Sequence, residues 1–293
     1  MANQFSGTGV ALVTPFKNQE VDFASLEKIV NHVIDGGVNY IVALGTTAET
    51  PTLTADEKKQ VLAFIIEKCN GRVPVVCGIG GNNTAEVIQQ IKEYDLNKVA
   101  GILSVAPYYN KPTQEGVYQH FKAIASATDK PIILYNVPGR TVTNILPATA
   151  LRLANEFKPI VAIKEASGNL VQCMELVQNK PAHFAVLSGD DDLILPQAAI
   201  GMEGVISVAA NCFTKDFTGM VSNALKGNFD EARRLHYKML EGIHLLFTEG
   251  NPAGVKSVLN NMGLCENELR LPLVKVSDAT GQKIKDFMNR AGY

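Results

Sequence analysis

Short apolar runs recur along the chain, separated by stretches whose apolar positions return every three or four residues. The runs occupy residues 9–13, 40–44, 73–77, 101–105, 131–135, 160–164, 184–188 and 204–208. They begin about 20 to 33 residues apart and are nearly unbroken in apolar character, as strands buried on both faces must be. Helix start signals lie between them. Thr54 and Glu57 form a capping box, Pro147 suits a first helical turn, and Thr84 and Thr113 each precede an acid near the positive end of a helix. Gly36, Gly37 and Gly71 stand where helices end.

Eight strand–helix repeats predict a closed parallel (β/α)8 TIM barrel over residues 1–225. An open doubly wound sheet is the rival, and its GxGxxG fingerprint after the first strand is absent. From residue 226 the strand pattern stops. Residues 229–247 read as a helix with Ala232, Leu235, Met239, Ile243 and Leu246 on one face, and 252–262 and 278–291 also read as helices. Residues 226–293 are therefore expected to form a C-terminal helical region, part of the α/β fold class.

Composition narrows the function classes. Of 293 residues, 46% are hydrophobic and 19% charged, which supports a sizeable core and excludes a disordered chain. A net charge of −2 with no basic run argues against nucleic acid. The longest apolar stretches, about eight residues, fall well short of a membrane span. The start, Met1-Ala2-Asn3-Gln4-Phe5, has neither the basic nor the apolar region of a secretory leader, so a cytoplasmic location is expected. Five cysteines without a CxxC pair read as free thiols, not as a disulfide framework or zinc site.

In such barrels the chemistry sits at the C-terminal ends of the strands. Lys164 ends the sixth run. Alternation places Ala162 and Lys164 inside the barrel and Val161 and Ile163 against the helices. Lysine is rarely buried without a reason, and a neutral amine in a partly dry site attacks carbonyls to give a Schiff base. The plainer alternative is a lysine paired with a carboxylate at the barrel mouth. Tyr135 ends the preceding run with the same inward parity, where a phenol could relay protons or simply fill the core. Thr46 and Thr47 follow the second run and Gly45, in a turn suited to a carboxylate. Arg140 lies just beyond Tyr135, and arginine grips carboxylates through two parallel bonds, although a lone arginine is more often a solvated one. Asp190, Asp191 and Asp192 read as acids at the start of a helix over 193–200, not as metal ligands. Gly78-Ile79-Gly80-Gly81 is a poor phosphate cradle, and the GxSxG and Walker patterns are missing.

Four motifs together resemble the dihydrodipicolinate synthase family of the N-acetylneuraminate lyase superfamily. They are Gly45-Thr46-Thr47-Ala48-Glu49, Pro107-Tyr108-Tyr109-Asn110-Lys111-Pro112, Tyr135-Asn136-Val137-Pro138-Gly139-Arg140-Thr141, and Ile163-Lys164-Glu165-Ala166-Ser167-Gly168. The resemblance runs from about Gly7 to the C-terminus. It implies that Lys164 forms a Schiff base with pyruvate, and that Tyr135, Thr46 and Tyr109 form a proton relay. Tyr109 would reach in from the neighbouring subunit of a tight homo-oligomer. Thr47 would hold the pyruvate carboxylate, Arg140 the carboxylate of L-aspartate-4-semialdehyde, and Gly189 and Ile206 would give backbone contacts near pyruvate. The product would be 4-hydroxy-tetrahydrodipicolinate, on the path to diaminopimelate and lysine, with no cofactor and no metal. Sister aldolases of the superfamily would share Lys164 and Tyr135; the sialate lyases typically lack an arginine at the position of Arg140. A catalytically dead barrel is the other alternative, and it would need a broken site.

Two kinds of departure stand out. The family usually has glycine where this chain has Ala48 and Val142. Members inhibited by lysine often carry histidines where Ala55 and Lys58 stand here, while Asn82, Glu86 and Tyr108 match. A cation at Lys58 would repel bound lysine, so weak or absent feedback inhibition is expected.

Overall fold

The computed structural model describes residues 4–293; the expectation drawn from Met1, Ala2 and Asn3 lies outside the described residues. Eight parallel strands close into a barrel. They are β1 (Gly7–Ala11), β2 (Tyr40–Ala43), β3 (Val75–Gly78), β4 (Gly101–Val105), β5 (Ile132–Asn136), β6 (Ile160–Glu165), β7 (Ala185–Ser188) and β8 (Gly204–Ser207). Each pairs with the next in chain order, and β8 returns to β1 with Gly7 opposite Gly204. Closure leaves no edge strand in the barrel to template aggregation. The helices between strands are α1 (Phe23–Asp35), α2 (Ala55–Cys69), α3 (Thr84–Glu93), α4 (Gln114–Ala125), the single turn α5 (Pro138–Thr141), α6 (Pro147–Glu156), α7 (Leu170–Asn179) and α8 (Ile194–Ala199). Then follow α9 (Thr214–Leu225), α10 (Phe229–Phe247), α11 (Ala253–Asn261) and α12 (Asp278–Ala291).

Two apolar layers follow from the period of two along each strand. Ile41, Ile102, Leu134, Ile163 and Val186 face outward and pack under the helices. Val42, Val76, Leu103, Ile133, Ala162 and Leu187 face inward. At the N-terminal end of the barrel, Tyr40 and Phe5 meet edge to face at 5.7 Å, both wholly buried. Gly9 makes room for this: a Cβ there would lie 2.2 Å from the Tyr40 ring. The base of the barrel is thus filled with aromatic rings, and the opening is at the other end.

The expected helix signals are seen in detail. Thr54 Oγ1 accepts from Glu57 N (3.2 Å) while Glu57 accepts from Thr54 N (2.8 Å), the capping box read from the sequence. Pro147 opens α6. In α10 all five expected apolar residues are buried. All five cysteines are free thiols and buried. Among the described residues no helix is long and apolar enough to cross a membrane.

Three local expectations need correcting. The first strand runs from Gly7 to Ala11, two residues earlier than its apolar run, because the run continues into Leu12 and Val13 beyond the ladder. Val161 does not face the helices. Ile132 pairs with Ile160 but Ile133 pairs with Ala162, so Val161 is the extra residue of a β-bulge and packs against the inner layer. Asp191 does not serve the start of α8: its Oδ2 accepts from Val208 N (3.0 Å) and Ala209 N (2.9 Å), capping the turn after β8.

Candidate active site

Lys164 and Tyr135 stand side by side on β6 and β5, directly opposite each other in the ladder. Both point inward and are almost fully buried, at 5% and 7% exposure. Lys164 Nζ lies 4.3 Å from the centroid of the Tyr135 ring. They share a cavity of about 390 Å³ with Thr46, Thr47, Arg140, Gly189 and Asn251. Gly189 leaves space for the lysine, since a Cβ there would come within 2.9 Å of Lys164 Cε. Burial, reinforced by Asp192, pushes the Asp190 carboxyl on the cavity wall up to about 6.

Thr46 and Thr47 form the start of a 3-10 turn, Thr46–Ala48, directly after Gly45. Thr46 is exposed towards the cavity, whereas Thr47 is buried and accepts from Asn251 Nδ2 at 3.1 Å. The turn is held from behind by the C-terminal region. Glu49 and Lys256 make an ion pair with both side chains wholly buried. Lys256 Nζ also donates to Glu268 O (2.9 Å) and sits 4.1 Å over the Phe16 ring. Burial draws the Lys256 ammonium down and the Glu49 carboxylate opposes that. Arg270 N donates to Glu49 Oε2 (3.1 Å), and its guanidinium grips the Glu57 carboxylate and Thr52 O (3.0 Å). Hydrogen bonds from Arg270 hold Glu57 down at about 2. Residues 251–270 are therefore a buttress for the turn that carries the two threonines.

Arg140 projects from the exposed side of α5 at the mouth of the cavity. It also lines an adjoining chamber of about 510 Å³, with Lys58, Asn82, Glu86 and Tyr108 on its walls. Gly45, Thr46 and Tyr135 border both spaces. Val142, closing α5, has φ +58°, a conformation that costs a β-branched residue about 1–2 kcal/mol. Ala48 is buried and does not carry a positive φ.

Two of the expected residues are not on the cavity wall. Ile206 is wholly buried within the inner layer of the barrel. Tyr109, in the loop after β4, is 87% exposed with φ +73° and lies away from Lys164's cavity in the single chain. Asn251 and the Glu49–Lys256 pair were not picked out from the sequence. Asn251 stands 204 residues from Thr47, and nothing in Asn-Pro beyond a helix start marks it out.

The Dihydrodipicolinate synthetase family matches residues 4–291. The chain belongs to this family. A relative named 4-hydroxy-tetrahydrodipicolinate synthase from Flavobacterium psychrophilum is 54% identical over 284 residues, covering 97% of each chain. The crystal structure of dihydrodipicolinate synthase from Thermotoga maritima superposes with a TM-score of 0.97 at 41% identity, covering 99% of each chain. The chloride-inhibited dihydrodipicolinate synthase from Acinetobacter baumannii, complexed with pyruvate, is 41% identical with a TM-score of 0.95, covering 98% of this chain and 99% of that one. Dihydrodipicolinate synthases of this family thus share the whole barrel and the C-terminal helices with this chain.

Proposed function

We propose that this chain condenses pyruvate with L-aspartate-4-semialdehyde to 4-hydroxy-tetrahydrodipicolinate, through a Schiff base on Lys164. The observation that carries this reading is a buried lysine amine beside a tyrosine at the C-terminal end of a closed barrel. The Lys164 amine adds to C2 of pyruvate, the carbinolamine loses water, and loss of a C3 proton gives an enamine. The enamine carbon attacks the aldehyde. The amine of the second substrate then attacks C2, closes the ring and releases Lys164. One water leaves for each product formed.

Tyr135 and Thr46 line the cavity with Lys164 and form the chain's own part of the proton relay. Thr47, with its oxygen engaged by Asn251, has a proton to donate to the pyruvate carboxylate. Gly189 bounds the pyruvate end, Ile206 lies in the inner layer below it, and Arg140 receives the second carboxylate at the mouth. Tyr109 completes the relay from a partner copy in a homo-oligomer, which accounts for its exposure in one chain. Arg140 also favours this acceptor over a sugar aldehyde. The reading includes a cytoplasmic location, and lysine inhibition weakened by Lys58 in the outer chamber. Sub-millimolar inhibition by lysine would overturn that last point.

Borohydride reduction in the presence of pyruvate tests the mechanism. A pyruvate-derived mass on Lys164 is expected. Folded protein with Lys164 unmodified would overturn the reading.

A further inference from the structure

Behind Lys164 lies a polar hub that the catalytic scheme does not use. Glu165, the next residue on β6, is wholly buried. Its carboxylate accepts from neutral donors: Asn136 Nδ2 (2.9 Å to Oε2, 3.2 Å to Oε1), Gln172 Nε2 (2.9 Å) and Ser167 N (2.9 Å). A carboxylate buried this way is costly unless its lone pairs are filled, and here they are.

The hub reaches the loop that carries Arg140. Asn136, at the end of β5, donates from the same Nδ2 to Asn144 Oδ1 (2.7 Å) and accepts from Ile145 N through Oδ1 (2.8 Å). Asn144 and Gln172 exchange two further bonds, at 2.9 and 3.2 Å. Asn136 and Ile145, nine positions apart, are thereby tied together. Between these anchors stand α5, Arg140 and Val142 with its positive φ. A strained backbone of this kind persists only where its surroundings over-determine it. Glu165 holds the two side chains that bear these anchors, Asn136 and Gln172.

We infer that Glu165 is a positioning residue for Arg140: its buried carboxylate fixes Asn136 at one end of the loop over 137–145 directly and Asn144 at the other through Gln172, and so sets the affinity for the carboxylate-bearing second substrate. The inference rests on the proposed role of Arg140. Glutamine cannot replace Glu165, because every group it faces is a donor, and one end of the amide would set N–H against N–H.

The test is steady-state kinetics together with borohydride trapping on the full-length enzyme. Glu165→Gln should raise KM for L-aspartate-4-semialdehyde about tenfold, the effect of losing roughly one buried hydrogen bond's worth of restraint. The Lys164–pyruvate adduct and the pyruvate KM should stay within about twofold of the parent. Asn144→Ala, which cuts the outer part of the network, should raise the same KM by less. In an Arg140→Ala background neither substitution should raise it further, since what they position is gone. Effects that add to Arg140→Ala, an unchanged KM, or an equal loss of the pyruvate adduct would overturn the inference. If Glu165→Gln does not fold, Asn144→Ala decides by the same criteria. If Arg140→Ala alone leaves this KM unchanged, the role given to Arg140 fails first and takes the inference with it.

Discussion

Thr47 receives the Asn251 amide on its hydroxyl oxygen, and that one bond fixes which way its own proton can point. Without the amide the hydroxyl can turn in any direction, and part of the carboxylate grip on pyruvate is lost. Asn251→Ala is therefore expected to raise the pyruvate KM about five- to tenfold, with a smaller change in kcat, as loss of one buried hydrogen bond implies. A shift in kcat with KM unchanged would place the effect elsewhere. Residue chemistry of this sort was partly legible in advance. The inward placement of Lys164 and Tyr135 was legible because each ends an apolar run, whereas Arg140, on α5, stood out only through the family resemblance. Asn251 and Lys256 did not, because each matters through a contact with residues about 200 positions away.

Between strands and turns, Asp191 illustrates how an element's end is built. Its carboxylate caps the turn after β8, and burial pushes it up from 3.8 to about 6. An acid with a folded value above its unfolded one keeps its proton more tightly when folded. Its contribution to stability is thus full below about pH 4 and is lost as pH rises through about 6. Two units amount to about 3 kcal/mol. Asn has no such dependence, so Asp191→Asn should gain stability relative to the parent between pH 4 and pH 7, by up to that amount. Denaturant unfolding at both pH values measures it, and a constant difference would refute the assignment. The sequence located the elements well because barrel strands are apolar on both faces. It missed the bulge at Val161, since one added residue in the ladder leaves the hydrophobic pattern of 160–164 unchanged.

At the scale of the whole molecule, Lys164, Tyr135, Thr46, Thr47, Arg140 and Gly189 line one cavity of a single chain, whereas Tyr109 faces outward. Mixing two crippled proteins tests whether a partner copy supplies it. Tyr109→Phe and Lys164→Ala should each be nearly inactive alone, and co-refolded mixtures should regain activity, because a hybrid pair contains one site with both side chains intact. No regain in mixtures shown to form hybrids would mean that Tyr109 does not act across subunits. The barrel itself was legible from the spacing of eight runs, but the outward loop that bears Tyr109 could be given a direction only by a second chain.

The aromatic floor made by Phe5 and Tyr40 has a kinetic consequence. A vessel closed at one end imposes a sequence on its contents: whatever arrives first lies deepest, and whatever arrives second lies on top. Pyruvate must therefore reach Lys164 ahead of its partner. A molecule of the aldehyde that settles at the mouth too early has no way past and acts as a stopper, so excess aldehyde should slow turnover most when pyruvate is scarce.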